Sequence, residues 1–263
     1  MATGFANISI ERRSSAEQVA QTIKEMLLRG EAAPGTKLFE IPIAAQLQVS
    51  RHTVREAMRL LAAEGLVKHN FQRGVIVTEL DEDDVRDLFR ARRALELAGI
   101  AASRDAAKSD LDALRDATRA IRTAAERNDW SASVAADLTF HRAVVALIGS
   151  ELVNQFYLNL QTKLRLTRAW AEREHASSRE LWVIHNPVLV AIEDHHYAQA
   201  AEILGSIVDQ AEDRLVSAIR ARKEVVTGNG GLSTGPPARS PKIRRKRLSH
   251  RKPPKPVRRR VKN

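Results

Sequence analysis

The stretch VSRHTVREAMRLL, residues 49–61, decides how the front of the chain is interpreted. Residues three and four apart lie on one face of a helix. Three arginines recur at that spacing, and a separate apolar stripe runs beside them: Arg51, Arg55 and Arg59, against Val54, Ala57, Met58 and Leu61. The helix therefore has one basic face and one face that packs on neighbours. A solvated basic face would show the same spacing, so the surrounding elements have to decide its use.

Two helices are predicted before this stretch. Apolar residues between Val19 and Leu27 share one face, which predicts a helix from Ser15, the expected cap, to about Leu28. The segment RGEAAPGTKL, 29–38, contains two Gly and a Pro and breaks that helix. Pro42 suits the first turn of a second, short helix at about 42–47.

The third helix and a hairpin follow. Ser50, or Thr53 with Glu56 as a capping box, is expected to begin the third helix, which runs to about Ala63. In residues 65–80, β-branched side chains flank HNFQRG and predict two strands joined by a turn. This order of elements is that of a winged helix-turn-helix, whose third helix enters the DNA major groove.

The winged arrangement assigns a role to each exposed basic residue. Arg51 and Arg55 are expected to read base edges, because an arginine can bond guanine O6 and N7 together. Phosphate contacts are expected from Arg59, Lys68 and Arg73. Gly74 at the wing tip allows a close approach to DNA. The predicted DNA-contacting set is Arg51, His52, Thr53, Arg55, Arg59, Lys68, Arg73 and Gly74.

The net charge of +11 belongs to the end of the chain. After Glu224 there are 13 Lys or Arg and no acidic residue, so the preceding residues hold 30 basic and 32 acidic side chains. From about Thr227 the sequence is also rich in Gly, Pro and Ser, which predicts a disordered tail. Its basic runs are consistent with a solvated extension or with non-specific attraction to DNA.

Residues 81–224 have helical periodicity almost throughout, which predicts about six helices in a bundle. Breaks are expected near Lys108–Ser109, Asn128–Trp130, Gly149–Ser150, Asn186–Pro187 and His195–His196. Ser109 and Ser131 are candidate caps. The fold class is therefore mainly α, with an N-terminal winged helix-turn-helix, a small β-hairpin wing and a C-terminal all-α bundle. The predicted divisions are 1–14, a flexible N-terminus; 15–80, the DNA-binding domain; 81–224, a second, all-helical domain; and 225–263, the disordered basic tail.

The chain has no cysteine, which excludes disulfides and thiolate metal sites and fits a reducing cytosol. We find no signal peptide and no apolar segment long enough to span a membrane. The expected location is the cytoplasm, in association with DNA.

The front of the chain resembles the GntR family of bacterial transcription regulators. The resemblance rests on VSR, VRE, LAAEGLV and RGVIV at 49–51, 54–56, 61–67 and 73–77. Two departures are Pro42, where that family usually has an acidic or polar residue, and His52-Thr53, where Thr-Pro is common. The second part is similar to the FCD group, the all-helical effector domain of the fatty-acid-responsive (FadR-like) branch. Arg92-Arg93-Ala94-Leu95-Glu96 and DLTFHRAV carry that resemblance.

The resemblance also implies a metal site. Asp137 and His141 are four residues apart and share a helix face, a spacing that a simple hydrogen bond between them would equally explain. The resembling family has an Asp, a His one turn on and two later histidines as ligands, which implies Asp137, His141 and His185 here. The fourth ligand is missing, because Ile207 or Val208 stands where it is expected. Either three ligands hold one divalent metal of the Zn, Ni or Mn class, or the pocket works without metal.

Arg92 lies within the apolar seam of its helix, so its guanidinium needs a partner. That partner is either an internal carboxylate such as Glu96 or the carboxylate of a small effector held by a bidentate pair. Arg93 is expected to face solvent. Effectors of the resembling family are organic acids, sugar acids, amino acids or acyl compounds.

These features predict a ligand-responsive regulator, a repressor by analogy with the family, that binds a palindromic DNA operator as a homodimer. No membrane partner and no enzyme activity are expected. Two alternatives remain: a metal-dependent hydrolase that uses Asp137, His141 and His185, and an effector-blind architectural DNA binder that relies on its tail. No Ser/His/Asp set, Gly-rich phosphate loop or H-E-x-x-H motif supports the hydrolase.

Overall fold

The computed structural model describes residues 14–70, 74–171 and 178–228. Over these residues the chain forms helices and one two-stranded antiparallel sheet, in the order predicted for a winged helix-turn-helix followed by a helical bundle. The mainly α fold class is confirmed. Residues 1–13 of the expected flexible N-terminus and 229–263 of the expected basic tail fall outside the described residues. Residues 225–228 were also predicted to be disordered, but they continue the last helix, which ends at Gly228.

The first five elements form the head, the unit of residues 14–77. They are α1 (Ser15–Leu28), α2 (Glu40–Leu47), α3 (Arg51–Ala63), β1 (Val67–Asn70) and β2 (Gly74–Val77). The third helix begins where Ser50 accepts a hydrogen bond from the Thr53 amide at 3.0 Å, as predicted. Two boundaries were wrong. Ser14, not Ser15, caps α1 through a capping box with Glu17, and α2 begins at Glu40, two residues before Pro42.

Three helices and the hairpin of the head share one apolar core. Ile23 and Leu27 of α1 meet Val54, Met58 and Leu61 of α3, all fully buried, so the apolar stripe of the opening stretch packs inward as expected. The hairpin is extended by the segment at 36–38, whose Leu38 amide donates to the Val75 carbonyl at 2.9 Å. This packing leaves the arginine face of α3 outside the core.

The bundle comprises six helices within the described ranges. They are α4 (Glu82–Ala102), α5 (Lys108–Glu126), α6 (Trp130–Ala146), α7 (Glu151–Ala171), α8 (Ser178–Glu193) and α9 (Tyr197–Gly228). One apolar cluster joins α5, α6, α8 and the start of α9, and a second joins α4, α7 and the rest of α9. No helix in the described ranges has both the length and the hydropathy needed to cross a membrane.

Three local predictions in the bundle were wrong. Ser109 and Ser131 are not caps, since α5 starts after Ala107 and α6 starts after Asp129, whose side chain accepts from the Ala132 amide. The expected break at Asn186–Pro187 is also absent, because Pro187 lies inside α8. A proline removes one hydrogen bond and frees the carbonyl four residues earlier. Here that residue, Val183, is 58% exposed, so water can satisfy the carbonyl while the opposite face of α8 stays packed.

The head and the bundle meet along α7. Leu166 of α7 is 2% exposed and belongs to the core of the head. Just after α1, Gly30 has a φ of +71° and lies so close to α7 that a Cβ there would be 2.6 Å from the Ala169 carbonyl oxygen. Only glycine fits such a position, because a left-handed φ and a backbone contact coincide there.

Gly30→Ala should therefore destabilise the protein more than Gly149→Ala. Gly149 has nearly the same φ, +73°, but open space around its Cβ position, so it isolates the cost of the left-handed conformation, about 1–2 kcal/mol. Gly30→Ala adds an overpacking cost of about 1–3 kcal/mol because Ala169 must move. Urea unfolding of both variants measures the difference, and equal destabilisation would contradict the close approach.

Candidate functional site

The predicted recognition surface lies at the start of α3. Arg51, His52, Arg55 and Arg59 are exposed, and they are neither covered by the wing nor packed in the core. Thr53 is partly buried, and its hydroxyl lies 2.8 Å from the Ser50 hydroxyl that caps the helix. Thr53 therefore stabilises the start of α3. The surface is open and mainly basic, as a helix that enters a DNA groove requires.

Arg55 does not point freely into solvent, because it forms a two-bond ion pair with Glu40 of α2. Its Nε donates to Glu40 Oε1 at 3.2 Å, and its Nη2 donates to Oε2 at 3.1 Å. The hydrogen bond from Arg55 holds the pKa of Glu40 below its usual value, so the carboxylate stays charged at neutral pH. The sequence pattern did not indicate Glu40, because the pair joins residues 15 positions apart on two helices.

This pair occupies only one edge of the guanidinium. An arginine has five N–H donors, and Glu40 engages Nε and one hydrogen of Nη2. The Nη1 and Nη2 edge remains available for a bidentate contact to guanine O6 and N7. Glu40 therefore orients the plane of Arg55 and does not block its contact with a base.

The other predicted DNA contacts are placed as follows. Arg59 is 63% exposed at its side chain and pairs with Glu56 at 3.0 Å. Lys68 is exposed on β1, and Gly74 begins β2 with a φ of +77°. Arg73 lies outside the described residues. His69, exposed next to Lys68, was not predicted, although it lies close enough to Glu40 to contribute to the lowered pKa of that carboxyl.

A second cluster of functional groups lies in the bundle, and it contains the three residues implied as metal ligands. Asp137 and His141 lie one turn apart on α6, and α8 brings His185 against them. All three side chains are at least nine-tenths buried. The sequence prediction that they come together is consistent with this arrangement, while their role as ligands stays a prediction.

The distances within this triad fit a divalent cation. His185 Nε2 lies 3.1 Å from His141 Nε2 and 3.2 Å from Asp137 Oδ1, and His141 Nε2 lies 3.6 Å from Asp137 Oδ1. Three donors each about 2.1 Å from a tetrahedral zinc would lie about 3.4 Å apart. The triad thus needs almost no rearrangement to hold such an ion.

The outer nitrogens of both histidines are already used. His185 Nδ1 lies 2.7 Å from the Leu181 carbonyl, and His141 Nδ1 lies 2.9 Å from Glu96 Oε2. A carbonyl and a carboxylate only accept, so each Nδ1 carries the hydrogen. The inner Nε2 atoms then direct lone pairs toward each other and toward Asp137, which calls for a proton or a metal between them.

Glu96 of α4 is the buried anion behind the triad. Besides His141, it accepts from Arg92 Nε at 2.7 Å and from the Tyr157 hydroxyl. Burial alone would raise the pKa of Glu96, but the charges of Arg92 and His141 lower it to about 2. Burial also lowers the pKa of His185 to about 4, whereas Asp137 and Glu96 outweigh burial and raise the pKa of His141.

The two residues at the expected position of the fourth ligand, Ile207 and Val208, have apolar side chains. Ile207 and Val208 are buried in the two apolar clusters of the bundle and offer no donor atom. His195 and His196 are exposed in the turn before α9. Three protein ligands would leave coordination positions for water or for an effector oxygen.

A cavity of about 170 Å³ adjoins the triad, and Asp137 and His141 form part of its wall. The residues that line it come from the head, α4, α6 and α7: Leu28, Arg92, Trp130, Val134, Asp137, Leu138, His141, Gln161, Leu164, Arg165, Arg168 and Ala169. A small ligand in this cavity could reach the triad directly.

Two partners were predicted for Arg92, an internal carboxylate and the carboxylate of an effector, and its position in the cavity wall bears on both. The internal partner is Glu96, to which Arg92 donates a hydrogen bond from Nε. One edge of the guanidinium is therefore already used. Its presence in the cavity wall still allows its other N–H groups to face a ligand, and the effector role of Arg92 stays a prediction. Arg93 is 42% exposed at its side chain and pairs with Asp209 of α9. The sequence did not single out Arg165 and Arg168, because their helix is basic on several faces.

The comparisons with known proteins now assign a family. The family described as bacterial regulatory proteins, gntR family, matches residues 15–77, and the FCD domain matches residues 87–210. A curated regulator from Agrobacterium vitis is 37% identical over 55% of this chain and 86% of its own length. The chain belongs to the GntR family, with an FCD domain.

The relatives of this GntR protein are helix-turn-helix transcriptional regulators. The Agrobacterium protein is named for the TAR-I ttuE-ttuC' intergenic region. LutR of Bacillus subtilis is 27% identical over 72% of this chain and 96% of its own length. The gluconate operon repressor of Bacillus licheniformis is 24% identical over 58% and 63%. GntR proteins are DNA-binding regulators and not enzymes, so the hydrolase alternative is set aside.

Solved structures agree with the fold. A GntR regulator from Rhodococcus sp. RHA1 superposes with a TM-score of 0.68 at 26% identity, over 78% of this chain and 99% of that one. McbR/YncC of E. coli, at 21% identity, shares the fold with a TM-score of 0.63, over 78% and 99%. The fold of the head followed by the helical bundle thus recurs in both structures.

In this GntR protein, Glu40→Gln should weaken sequence selectivity more than overall DNA affinity. The substitution removes one of the two acceptors that orient Arg55, and a good bidentate base contact contributes about 1–3 kcal/mol of discrimination. The dissociation constants for a DNA sequence selected with the unmodified protein and for a scrambled duplex are measured. Their ratio is the sequence selectivity. Glu56→Gln is the matched control, because it removes the same charge beside Arg59 and should leave the ratio unchanged. An equal fall for both variants would contradict the orienting role of Glu40.

The triad predicts that Zn²⁺, Ni²⁺ or Mn²⁺ raises the melting temperature of the EDTA-treated protein. At a free metal concentration of 100 Kd the stabilisation is about 2.7 kcal/mol. His185→Ala should abolish the metal-dependent shift, while His195→Ala, at an exposed histidine, should retain it. Elemental analysis should find one metal per chain. A shift that survives His185→Ala would show that the metal binds elsewhere.

Proposed function

We propose that this GntR regulator is an effector-responsive repressor that binds a palindromic operator as a homodimer. A small carboxylate, held beside a divalent metal in the FCD cavity, controls its DNA binding. The observation that carries the proposal is the position of Leu28, a residue of the DNA-binding head that forms part of the cavity wall. Any ligand in this cavity therefore lies against the head.

DNA recognition follows from the exposed start of α3. Arg51 and Arg55 are placed to read bases, with Arg55 oriented by Glu40. Arg59 and Lys68, further along the same surface, are suited to phosphates, which position a protein on DNA without reading its sequence. One recognition helix reads one half-site.

A dimer accounts for a palindromic operator, because two recognition helices related by a two-fold axis read two half-sites. Within the described residues, Leu152 and Phe156 of α7 are 82% and 57% exposed and lie one turn apart. A second copy that covers this apolar pair would remove it from water. This is the face that we expect the two subunits to share. Such a dimer, bound to its operators, would be associated with the nucleoid.

Carboxylate binding follows from the chemistry of the triad. A divalent ion bound there would supply an open position for a carboxylate oxygen. Asp137, His141 and His185 would hold that ion, and Glu96 fixes the His141 ring. Arg92 would complete the site with charge-assisted donors from its free edge.

Coupling to DNA runs through α7 and α1. On α7, Gln161, Leu164, Arg165 and Arg168 line the cavity, while Leu166 packs in the head. At the Gly30–Ala169 contact, the backbone of the head packs directly against the backbone of α7. A ligand that moves α7 therefore changes the position of the head, and loss of operator binding is the expected response of a repressor.

Operator release by small carboxylates tests this proposal. The metal-loaded full chain should bind a selected palindrome as a dimer, and a screen of small carboxylic acids should find members that release it. Leu28→Glu places a charge in the wall shared with the head and should weaken release. Val183→Glu, on an exposed face away from the cavity, should not.

The architectural alternative gives different results in the same assay. A chain without residues 227–263 should keep its operator preference if the head reads the sequence. Loss of all preference with the tail, together with no response to any carboxylate, would favour an effector-blind binder that relies on its 13 basic tail residues.

A further inference from the structure

A second cleft lies at the joint between the head and the bundle, outside the cavity of the triad. It has a volume of about 270 Å³, and its walls come from α1 of the head and from α6 and α7. We call it the joint cleft, the space lined by Lys24, Arg142 and Arg165. Leu28 and Arg165 belong to the walls of both spaces, so the two are neighbours. No residue of the triad lines the joint cleft, and its chemistry depends on other side chains.

The joint cleft has one cation from each of its three helices. Among the described residues, none with an acidic side chain lines it. Lys24 of α1 forms an ion pair with Glu64, so one of the three charges is neutralised. Arg142 of α6 and Arg165 of α7 are exposed and make no hydrogen bond or ion pair within the described ranges. Two positive charges are therefore available to a ligand.

The position of these two arginines separates them from other exposed arginines. On α4 and α5, four arginines pair with a carboxylate three or four positions away on the same helix: Arg90, Arg115, Arg119 and Arg122. No residue three or four positions from Arg142 or Arg165 is acidic. Arg214 of α9 is equally exposed and unpaired among the described residues, but it lines none of the clefts described above. Arg142 and Arg165 are distinguished because they border the same small space.

The uncharged groups of the joint cleft add little competition for an anion. The hydroxyl groups of Thr139 and Thr162 donate to carbonyls four residues earlier in their own helices, at 2.9 and 2.8 Å. Leu138 and Leu158 make part of the remaining wall apolar. The donors that remain for a ligand are therefore mainly those of the cations, which favours an oxyanion.

The joint cleft lies away from the DNA-reading end of the head. Glu64, the partner of Lys24, follows the last residue of α3, whereas the recognition surface begins with Arg51 at the opposite end. With 13 residues, α3 is about 20 Å long. The DNA that this head reads therefore lies about one helix length from the cleft, and the expected occupant is a small molecule.

We propose that the joint cleft binds a phosphate dianion, either free phosphate or the phosphoryl group of a small phosphate monoester. Arg142 and Arg165 hold it from the bundle, and Lys24, which keeps N–H donors besides the one used by Glu64, holds it from the head. A phosphoryl group has three strong acceptor oxygens and close to two negative charges, which match three donor side chains and two unneutralised guanidinium groups. A carboxylate has only two oxygens and one charge. This inference does not depend on the proposed carboxylate function.

A phosphate in this cleft would join the head to the bundle. Its donors lie on α1, α6 and α7, so its bonds cross the joint that transmits the state of the bundle to the head. Arg165 also borders the cavity of the triad, and a bound phosphate would fix that part of the cavity wall. The regulator would thus have a second input that acts on the same joint.

Calorimetric titration tests the site. The EDTA-treated full chain is titrated with inorganic phosphate and with glycerol 3-phosphate at about pH 8, where phosphate with a second pKa of about 6 is a dianion. Sodium chloride keeps the ionic strength constant. We expect one saturable site per chain. R142Q and R165Q should each weaken binding about tenfold or more, because each removes hydrogen bonds between charged groups.

Matched variants locate the site. R214Q removes an exposed, unpaired arginine outside the cleft and should bind phosphate as the unmodified chain does. T139E keeps both arginines but adds a carboxylate to the cleft wall, and it should abolish binding. K24Q/E64Q removes the ion pair of the head without changing the net charge, and it should weaken binding. Circular dichroism of each variant confirms that a lost affinity does not reflect unfolding.

The contrary outcomes are equally specific. Absence of saturable binding at constant ionic strength, or an affinity that R142Q leaves unchanged, overturns the site. An equal loss in R142Q and R214Q reveals non-specific attraction and also overturns it. Unchanged affinity in K24Q/E64Q overturns the link to the head. If glycerol 3-phosphate binds, the site accepts a phosphorylated metabolite, whereas binding of inorganic phosphate alone assigns it to the free ion. Arg142 and Thr139 do not line the cavity of the triad, so failure here leaves the carboxylate function intact.

Discussion

The DNA-binding head of this GntR protein is joined to the helical bundle by one packing contact, the contact of the head with α7. Gly30 approaches the Ala169 carbonyl so closely that no side chain fits between them, and Leu166 is buried in the head. The same helix forms one wall of the ligand cavity. Packed interiors respond to sub-ångström shifts by rearrangement and not by gradual deformation, so we expect a ligand on one face of α7 to affect the other face. Without this contact, the head and the cavity would be two independent sites.

The buried carboxylate of Glu96 orients the histidine of the triad that borders the cavity. It accepts from Arg92, Tyr157 and His141, which come from three different helices. A buried anion without such partners would be strongly destabilising, so these helices are held in register around it. One consequence is that His141 directs Nε2 toward His185 and Asp137. The proposed cation site thus depends on the hydrogen bonds that Glu96 accepts.

Much of the fold could be predicted because its determinants are local. The arginine and apolar faces of α3, the Gly and Pro of the preceding turn and the β-branched residues of the wing act over a few positions. The caps were harder, since Ser109 and Ser131 have the residue type of a cap but lie one residue inside their helices. The break predicted at Pro187 was wrong, because a helix tolerates a proline where the carbonyl that loses its hydrogen bond lies on a solvent-exposed face.

The site was predictable only in part. Asp137 and His141 share a face by spacing, and His185 followed from the family resemblance. Glu96 was predicted only as a partner of Arg92, four positions away. The contacts of Glu40 with Arg55, of Glu96 with His141 and of Tyr157 with Glu96 span 15, 45 and 61 positions, and no local pattern reveals them. Arg165 and Arg168 belong to a helix whose basic residues look alike in sequence. Their difference from other arginines is that they border a cavity, and that is a tertiary property.

The coupling through α7 is tested most directly by hydrogen–deuterium exchange of the metal-loaded full chain with and without a saturating carboxylate ligand. The account predicts changed exchange in residues 161–169, which line the cavity, and also in residues 24–31 of the head, which contain no predicted ligand contact except Leu28. Changes confined to the bundle, with the head unaffected at full ligand occupancy, would contradict it.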